Sequence, residues 1–347
     1  MEKSENIKEQ KIMIKDKNFT IPVEKVTGGF FTNPLNPEKS NADPCIVYSY
    51  EEKCYYGIST GNTQLVLHKS KSLKDMFNKS ESRIIYEVSE YDDTYGHLWA
   101  PELHYINKKW YIYTSTYTKE NMWQKHIIVL EAKGDSPFDG FKLCGHINRE
   151  VNAIDPTVYK DGEKMYICFS HIKDKYMRLC IQEMKNPWET TGKYTEIAKA
   201  EYPWEKVYPH CEADQWKINE GPYFVKSPNN RLFIFYSGNG CFCDDYVIGL
   251  LEYKGGDMLS KESWEKCPEP IMTKGNNNFG PGHATFFYSP DKTELWICHH
   301  CLHESDPEYK SMQRHCHCQK VYFDETGFPH TGLPILKGEK YPLPSGE

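Results

Sequence analysis

The sequence predicts an all-β chain folded as a five-bladed β-propeller, on two observations. One hairpin-like block recurs five times along the 347 residues, and helical periodicity is almost absent. The 25 Tyr, 16 Phe and 8 Trp agree with this, because aromatic side chains suit a pleated, half-buried surface. Each copy opens on a small or acidic residue, alternates apolar and aromatic residues, turns, and returns through a second aromatic run.

The first copy starts at Asp43-Pro44, turns at Glu51-Glu52-Lys53 and returns as Cys54-Tyr55-Tyr56. The second starts at Ala100-Pro101-Glu102, turns at Asn107-Lys108 and returns from Trp110. Asp155-Pro156 opens the third, where Asp161-Gly162 is a strong two-residue hairpin signal. Glu220-Gly221-Pro222 opens the fourth, which turns at Ser227 to Asn230. Gly282-His283 opens the fifth, which turns at Ser289-Pro290-Asp291 and returns from Leu295. These starts lie 55 to 65 residues apart, enough for a four-stranded sheet with its loops. A β-sandwich is the alternative, but it has no reason to repeat one hairpin at a near-constant interval. The best short helical candidate is Lys69 to Phe77. Residues 1–28 are expected to form an N-terminal arm and 29–347 a single propeller domain.

Composition narrows the function. With 42 Lys+Arg against 49 Asp+Glu in short mixed runs, the net charge is -7 and no basic stripe exists, so neither nucleic acid nor an anionic membrane is an expected partner. No apolar window approaches the roughly 18 residues of a membrane span. Met1 to Thr20 alternate Lys and Glu and lack the apolar stretch of a secretory signal, so a cytoplasmic protein is expected. The 13 Cys are odd in number and irregularly spaced, which suits reduced thiols.

In a propeller the first strand of each blade lines the central channel, so equivalent repeat positions converge. Here they hold Asp43, Ala100 with Glu102 two residues on, Asp155, Glu220 and His283. Carboxylates confined together cannot all ionise at their free values, so one is expected to stay protonated while another stays charged. That is an acid and a base, the pair that glycosidic hydrolysis requires. Arg314 and Gln319 precede the closing strand Val321-Tyr322-Phe323, and Arg314 is taken as a substrate contact. Trp110, Trp188, Trp216 and Trp296 fall in or beside strand-like runs and are expected in the core.

Asn33-Pro34-Leu35-Asn36-Pro37 with Ala42-Asp43-Pro44, Trp99-Ala100-Pro101-Glu102, Ile154-Asp155-Pro156, Asn219-Glu220-Gly221-Pro222 and Gly280-Pro281-Gly282-His283 resemble, in order, the motif series of glycoside hydrolase family 43. The resemblance spans about residues 30 to 335. It implies a five-bladed propeller and an inverting hydrolase acting on α-L-arabinofuranosides, arabinan or β-D-xylosides. Asp43 then matches the general base, Glu220 the general acid, and Asp155 the carboxylate that orients the acid. Trp99 matches a motif tryptophan beside the sugar. His283 matches a channel histidine that in many members holds a calcium ion or a water, and no other cofactor is implied. The stretch from Asn219 to Gly249-Leu250 looks more like the exo-acting arabinofuranosidases than the β-xylosidases, so an oligosaccharide bearing terminal arabinofuranose is the expected substrate. A non-catalytic carbohydrate-binding propeller is the alternative from another class.

One rival chemistry is structural zinc, from Cys241-Phe242-Cys243, His299-His300-Cys301 and His315-Cys316-His317-Cys318. The Cys-x-Cys spacing places both thiols on one strand face rather than in a zinc knuckle, and free cysteines are common in cores.

Overall fold

A computed structural model describes residues 19–206, 216–306 and 312–347. Most of the expected N-terminal arm lies outside them. Five four-stranded antiparallel meanders follow one another along the chain. Their first strands are Cys45–Ser49, Trp99–Ile106, Ala153–Asp161, Lys217–Lys226 and Phe279–Tyr288. Each first strand pairs with the return run of its own hairpin, as at Tyr48↔Tyr55 and Asp161↔Lys164. The third and fourth meanders also share a short parallel contact, Tyr176↔Lys217 and Met177↔Ile218, which merges them into one eight-stranded sheet.

Strand alternation gives every sheet two apolar faces, and each face is buried against a neighbouring sheet. Five apolar cores result, in cyclic order. Ile112 and Leu130 of the second sheet meet Leu65 and Leu67 of the first. The second meets the third around Phe169, the third meets the fourth around Ile234, and the fourth meets the fifth around Phe286. Phe287 and Trp296 of the fifth then pack on Ile46 and Tyr55 of the first. The first strands touch in the same cyclic order, the fifth sheet's against the first sheet's. Phe30–Thr32 pairs with Lys340–Pro342 and ties the two ends of the described chain together.

The helical expectation for Lys69 to Phe77 is corrected. Lys69 and Ser70 finish a strand, where Tyr56↔Lys69 and Tyr55↔Ser70 are ladder partners, and only Leu73–Asp75 makes a 3-10 turn. Lys69 Nζ meets Glu52, in the turn of the preceding hairpin, at 2.7 Å. No α-helix occurs among the described residues.

A shared backbone device sits at the start of the first strands. Asp43, Ala100, Asp155, Gly221 and His283 all have φ between 45° and 55°, and the first four precede a proline. The ladder slips at these points, between Trp99 and Glu102, Ile154 and Thr157, and Glu220 and Tyr223. Such bulges re-aim side chains out of the pleat. A left-handed φ costs a non-glycine residue of order 1–3 kcal/mol, so the packing around each one must hold it there. The repeat frame is thereby corrected in the fourth sheet: Gly221 is the structural counterpart of Asp43 and Asp155, and Glu220 precedes it by one residue.

Candidate active site

Asp43, Trp99, Asp155, Glu220, His283 and Arg314 line one cavity of about 610 Å³. The structure therefore brings together the six residues that the sequence assigns to catalysis or substrate contact. Each comes from near the start of a first strand, except Arg314, which opens the third strand of the last sheet.

Asp43 is the most heavily held. Arg314 donates through Nη1 to Oδ1 at 2.9 Å, and Thr60 Oγ1 donates to Oδ2 at 2.5 Å. Thr60 in turn accepts the Ala100 N–H at 2.9 Å, which fixes its hydroxyl toward the carboxylate. The Asp43 N–H donates to His300 Nδ1 at 3.2 Å, and His283 Nδ1 lies 3.5 Å from Oδ1. Burial opposes ionisation, but the Arg314 guanidinium, with His283 and His300, outweighs it and holds Asp43 well below the usual carboxylate range. His300, fully buried, is pushed down to about 3 chiefly by desolvation and stays neutral.

Glu220 behaves oppositely. Burial, reinforced by the Asp43 charge, pushes its carboxyl up to about 7 against the hydrogen bond that Tyr246 Oη donates to Oε1 at 2.8 Å. Asp155 is likewise pushed up to about 7, first by burial and then by the charges of Glu220 and Asp43, while His283 opposes the shift. Its Oδ2 accepts the Gly221 N–H at 3.1 Å, which ties it to the backbone immediately beyond Glu220. One cavity thus holds an ionised carboxylate and two carboxyls that keep protons near neutrality.

Two glycines make this geometry possible. A Cβ on Gly282 would lie 2.1 Å from Tyr246 Cε1, so only glycine lets Tyr246 reach Glu220. A Cβ on Gly221 would meet the His283 ring at 3.0 Å.

Part of the cavity wall is aromatic. His97 stacks on Trp99 at 4.8 Å, and Lys125 Nζ sits 4.6 Å from the Trp99 ring and 5.6 Å from those of Tyr117 and Trp123. Burial pulls Lys125 down to about 8. Trp123 is 68% exposed yet lines the cavity, as does Trp216. The core expectation for Trp216 is therefore corrected, whereas Trp110 and Trp296 are buried as expected. Glu102 does not line the cavity and pairs with His104 Nε2 at 2.7 Å. Gln319 clasps the Thr331 and Leu333 carbonyls instead of facing the pocket. Thr60, Lys125, Trp123 and Tyr246 were missed from sequence. Thr60 and Tyr246 lie outside the repeated motif, and Trp123 with Lys125 belongs to an inner hairpin that looks like ordinary strand.

Calcium takes roughly six to eight oxygen ligands. His283 Nδ1 lies 3.5 Å from one carboxylate oxygen, Asp43 Oδ1, which it shares with the His300 imidazole and the Arg314 guanidinium. One carboxylate oxygen already held by a guanidinium is not the oxygen-rich set that calcium takes. Among the described residues the three Cys/His clusters do not form one zinc site, since the one close group is Cys298, Cys316 and Cys318.

A family model for glycosyl hydrolases family 43 matches residues 31–329. The chain is 32% identical over 282 residues to an extracellular exo-α-(1→5)-L-arabinofuranosidase of Streptomyces chartreusis, covering 78% of this chain and 82% of that protein. It is 28% identical to the enzyme of that name from Streptomyces avermitilis, covering 89% of this chain but only 64% of the relative. Among solved structures, an α-L-arabinofuranosidase from Lactobacillus brevis superposes with a TM-score of 0.77 at 25% identity, covering 89% of this chain and 98% of that one. A thermostable family-43 glycoside hydrolase superposes at 0.74 and 22% identity, covering 91% of this chain and 100% of that one. With the carboxylates of its motifs gathered in one cavity and the match running through all five meanders, the chain belongs to glycosyl hydrolase family 43.

Proposed function

We propose that this protein is an exo-acting α-L-arabinofuranosidase that releases terminal arabinofuranose from oligosaccharides with inversion, on a five-bladed β-propeller. The cyclic order of the five cores supports the propeller, and the residues from 29 onward form its single domain. The observation that carries the chemistry is the contrast between Asp43, held ionised by Arg314, and Glu220, kept protonated near pH 7 in the same cavity. In this reading Asp43 takes a proton from water as the water attacks the anomeric carbon. Glu220 gives its proton to the departing glycosidic oxygen. Asp155, bonded to the Gly221 N–H, holds the backbone that carries Glu220, and the negative charge of either carboxylate favours the proton on the other. Trp99 and Arg314 line the cavity where the sugar binds. His283 keeps Asp43 charged and is not assigned a metal. The names of the Streptomyces relatives support the arabinofuranosidase reading.

Those names also describe extracellular enzymes, against the cytoplasmic expectation. Among the described residues no helix is long and apolar enough to cross a membrane. Cell fractionation of the native host decides between the compartments.

Proton NMR of the hydrolysis of arabino- and xylo-oligosaccharides tests the reaction directly. The expected first product is the anomer inverted from the substrate, formed from arabinosides ahead of xylosides. Retention, or a preference for xylosides, overturns the reading. Glu220→Gln should lower the rate on oligosaccharides by about 10²–10⁴-fold, and by less on a nitrophenyl glycoside, whose leaving group needs no proton. A carbohydrate-binding protein without turnover would show no rate in the parent. Azide supplied to Asp43→Gly should give an inverted glycosyl azide, and no adduct counts against Asp43 as base.

A further inference from the structure

Outside the cavity, the densest chemistry lies on the last sheet. Cys298 in the strand Leu295–Leu302 and Cys316 and Cys318 in Arg314–Phe323 are each fully buried, and their three sulfurs lie within 4.8 Å of one another. Cys298 Sγ is 3.4 Å from Cys316 Sγ. Cys298 and Cys318 are cross-strand partners, and Cys316 is one diagonal step away, so all three share one face of the sheet. Two sulfurs bound at about 2.3 Å to one zinc-like ion sit roughly 3.8–4.0 Å apart. From separations between 3.4 and 4.8 Å, the sulfurs reach that spacing by side-chain movements of no more than about 1 Å.

The same face carries His300 two residues beyond Cys298 and Arg314 two residues before Cys316, and His300 is the ladder partner of Cys316. Both His300 and Arg314 meet Asp43. Beside the thiols, the Asn33 side chain bonds the backbone of Cys318 in both directions, at 2.8 and 2.9 Å, and the Leu35 N–H bonds the Cys316 carbonyl at 2.9 Å. The surroundings are apolar, with Ile46, Tyr55, Phe287 and Trp296 in the same core. A preformed, dry, three-sulfur set selects a soft cation over the hard ions that carboxylates and water attract.

We propose that Cys298, Cys316 and Cys318 form a binding site for a thiophilic d10 metal ion of the zinc class, which clamps together the two strands that present His300 and Arg314 to Asp43. Each thiol that binds releases its proton as the metal–sulfur bond forms, and no electron is transferred. Because the site is closed to solvent, the ion enters as the last sheet folds.

The test is metal content, read independently of hydrolysis. The full chain is expressed in zinc-supplemented medium, and separately refolded with a thiol reductant in the presence of zinc alone or cadmium alone. The expected result is about one equivalent of metal after gel filtration, a sulfur-to-cadmium charge-transfer band, a sulfur shell in X-ray absorption, and a melting temperature higher than that of protein refolded with chelator. Cys316→Ser/Cys318→Ser should lose the metal, while Cys144→Ser, on another sheet, should keep it. If the double variant does not fold, the X-ray absorption spectrum of the parent decides. A metal-free parent that melts identically with and without zinc, a shell of nitrogen and oxygen only, or a mass showing a Cys298–Cys316 disulfide overturns the proposal.

Discussion

Arg314 reaches across 271 residues of sequence to place Nη1 2.9 Å from Oδ1 of Asp43. The contact joins the fifth sheet to the first, so the packing of these two sheets also sets the charge of the proposed base. Arg314→Met should therefore raise Asp43 by about 1–3 pH units. A low-lying base produces an acidic limb at low pH, and raising its pKa moves that limb upward. The pH profile of kcat/KM checks this, with Arg314→Lys intermediate because an ammonium keeps the charge without the planar fork. An acidic limb that stays in place would show that Arg314 only contacts sugar.

The alkaline limb should lie near pH 7, where Glu220 gives up its proton. Tyr246 Oη donates to Glu220 Oε1 at 2.8 Å and favours the charged form. Tyr246→Phe removes that donor, so the Glu220 pKa rises and the alkaline limb moves up by about 1 unit. A limb that moves down would mean that Tyr246 stabilises the protonated acid, and the assigned direction of the bond would be wrong.

Gly282 separates contact with Tyr246 from the chemistry of Tyr246 itself. A methyl there would lie 2.1 Å from the tyrosine ring, so the ring or the strand must give way. Gly282→Ala should cost about 1–3 kcal/mol of stability by overpacking and reproduce the upward limb shift of Tyr246→Phe. Denaturant unfolding and the pH profile read the two effects separately. A stable variant with the parent's alkaline limb would show that Tyr246 has room to move while keeping Glu220.

Much of this site was legible because its residues sit in a repeated frame. Asp43-Pro44 and Asp155-Pro156 announce a strand start that turns a carboxylate inward, and the structure shows the reason in their left-handed φ of 52° and 53°. Glu220 was found in a frame one residue out of step, since the left-handed position is Gly221. The identification survived because both residues flank the same bulge. Partners set by tertiary closure left no such trace. Thr60 and Lys125 look like ordinary loop or strand residues until folding puts them at the cavity, and Tyr246 looks like one until its hydroxyl meets Glu220 behind the cavity wall. The short helical candidate at Lys69 to Phe77 fails because its first two residues complete a strand ladder and only Leu73–Asp75 turns as a 3-10 helix.

Stability should depend on an ion pair just behind the site. Lys266 Nζ donates to Glu205 Oε1 at 2.7 Å, to the Lys199 carbonyl at 2.6 Å and to Asn219 Oδ1 at 2.8 Å. The Glu205 side chain is fully buried and also accepts from Tyr236 Oη and from the N–H groups of Glu201 and Tyr202. Burial pulls Lys266 below its ordinary range, but three acceptors around one nitrogen are an environment that only the ammonium satisfies, so the pair is taken as charged. For Glu205, burial raises the carboxyl and Lys266 with the backbone donors outweighs it, leaving it below its ordinary value. A carboxyl lowered on folding contributes stability above its unfolded value of about 4.3, and that contribution is lost as pH falls through the lower folded value. Lys266→Met leaves the carboxylate buried without its cation and should cost about 3–5 kcal/mol at pH 7. It should also flatten the acid-side decline in stability, because less of the shift remains to be lost. Asn219 bonds both partners and immediately precedes Glu220, so the loosened pair should lower kcat in the folded variant without moving KM comparably. Urea unfolding between pH 3 and 7 checks the first two expectations, and a loss below about 1 kcal/mol would place this pair with exposed ones.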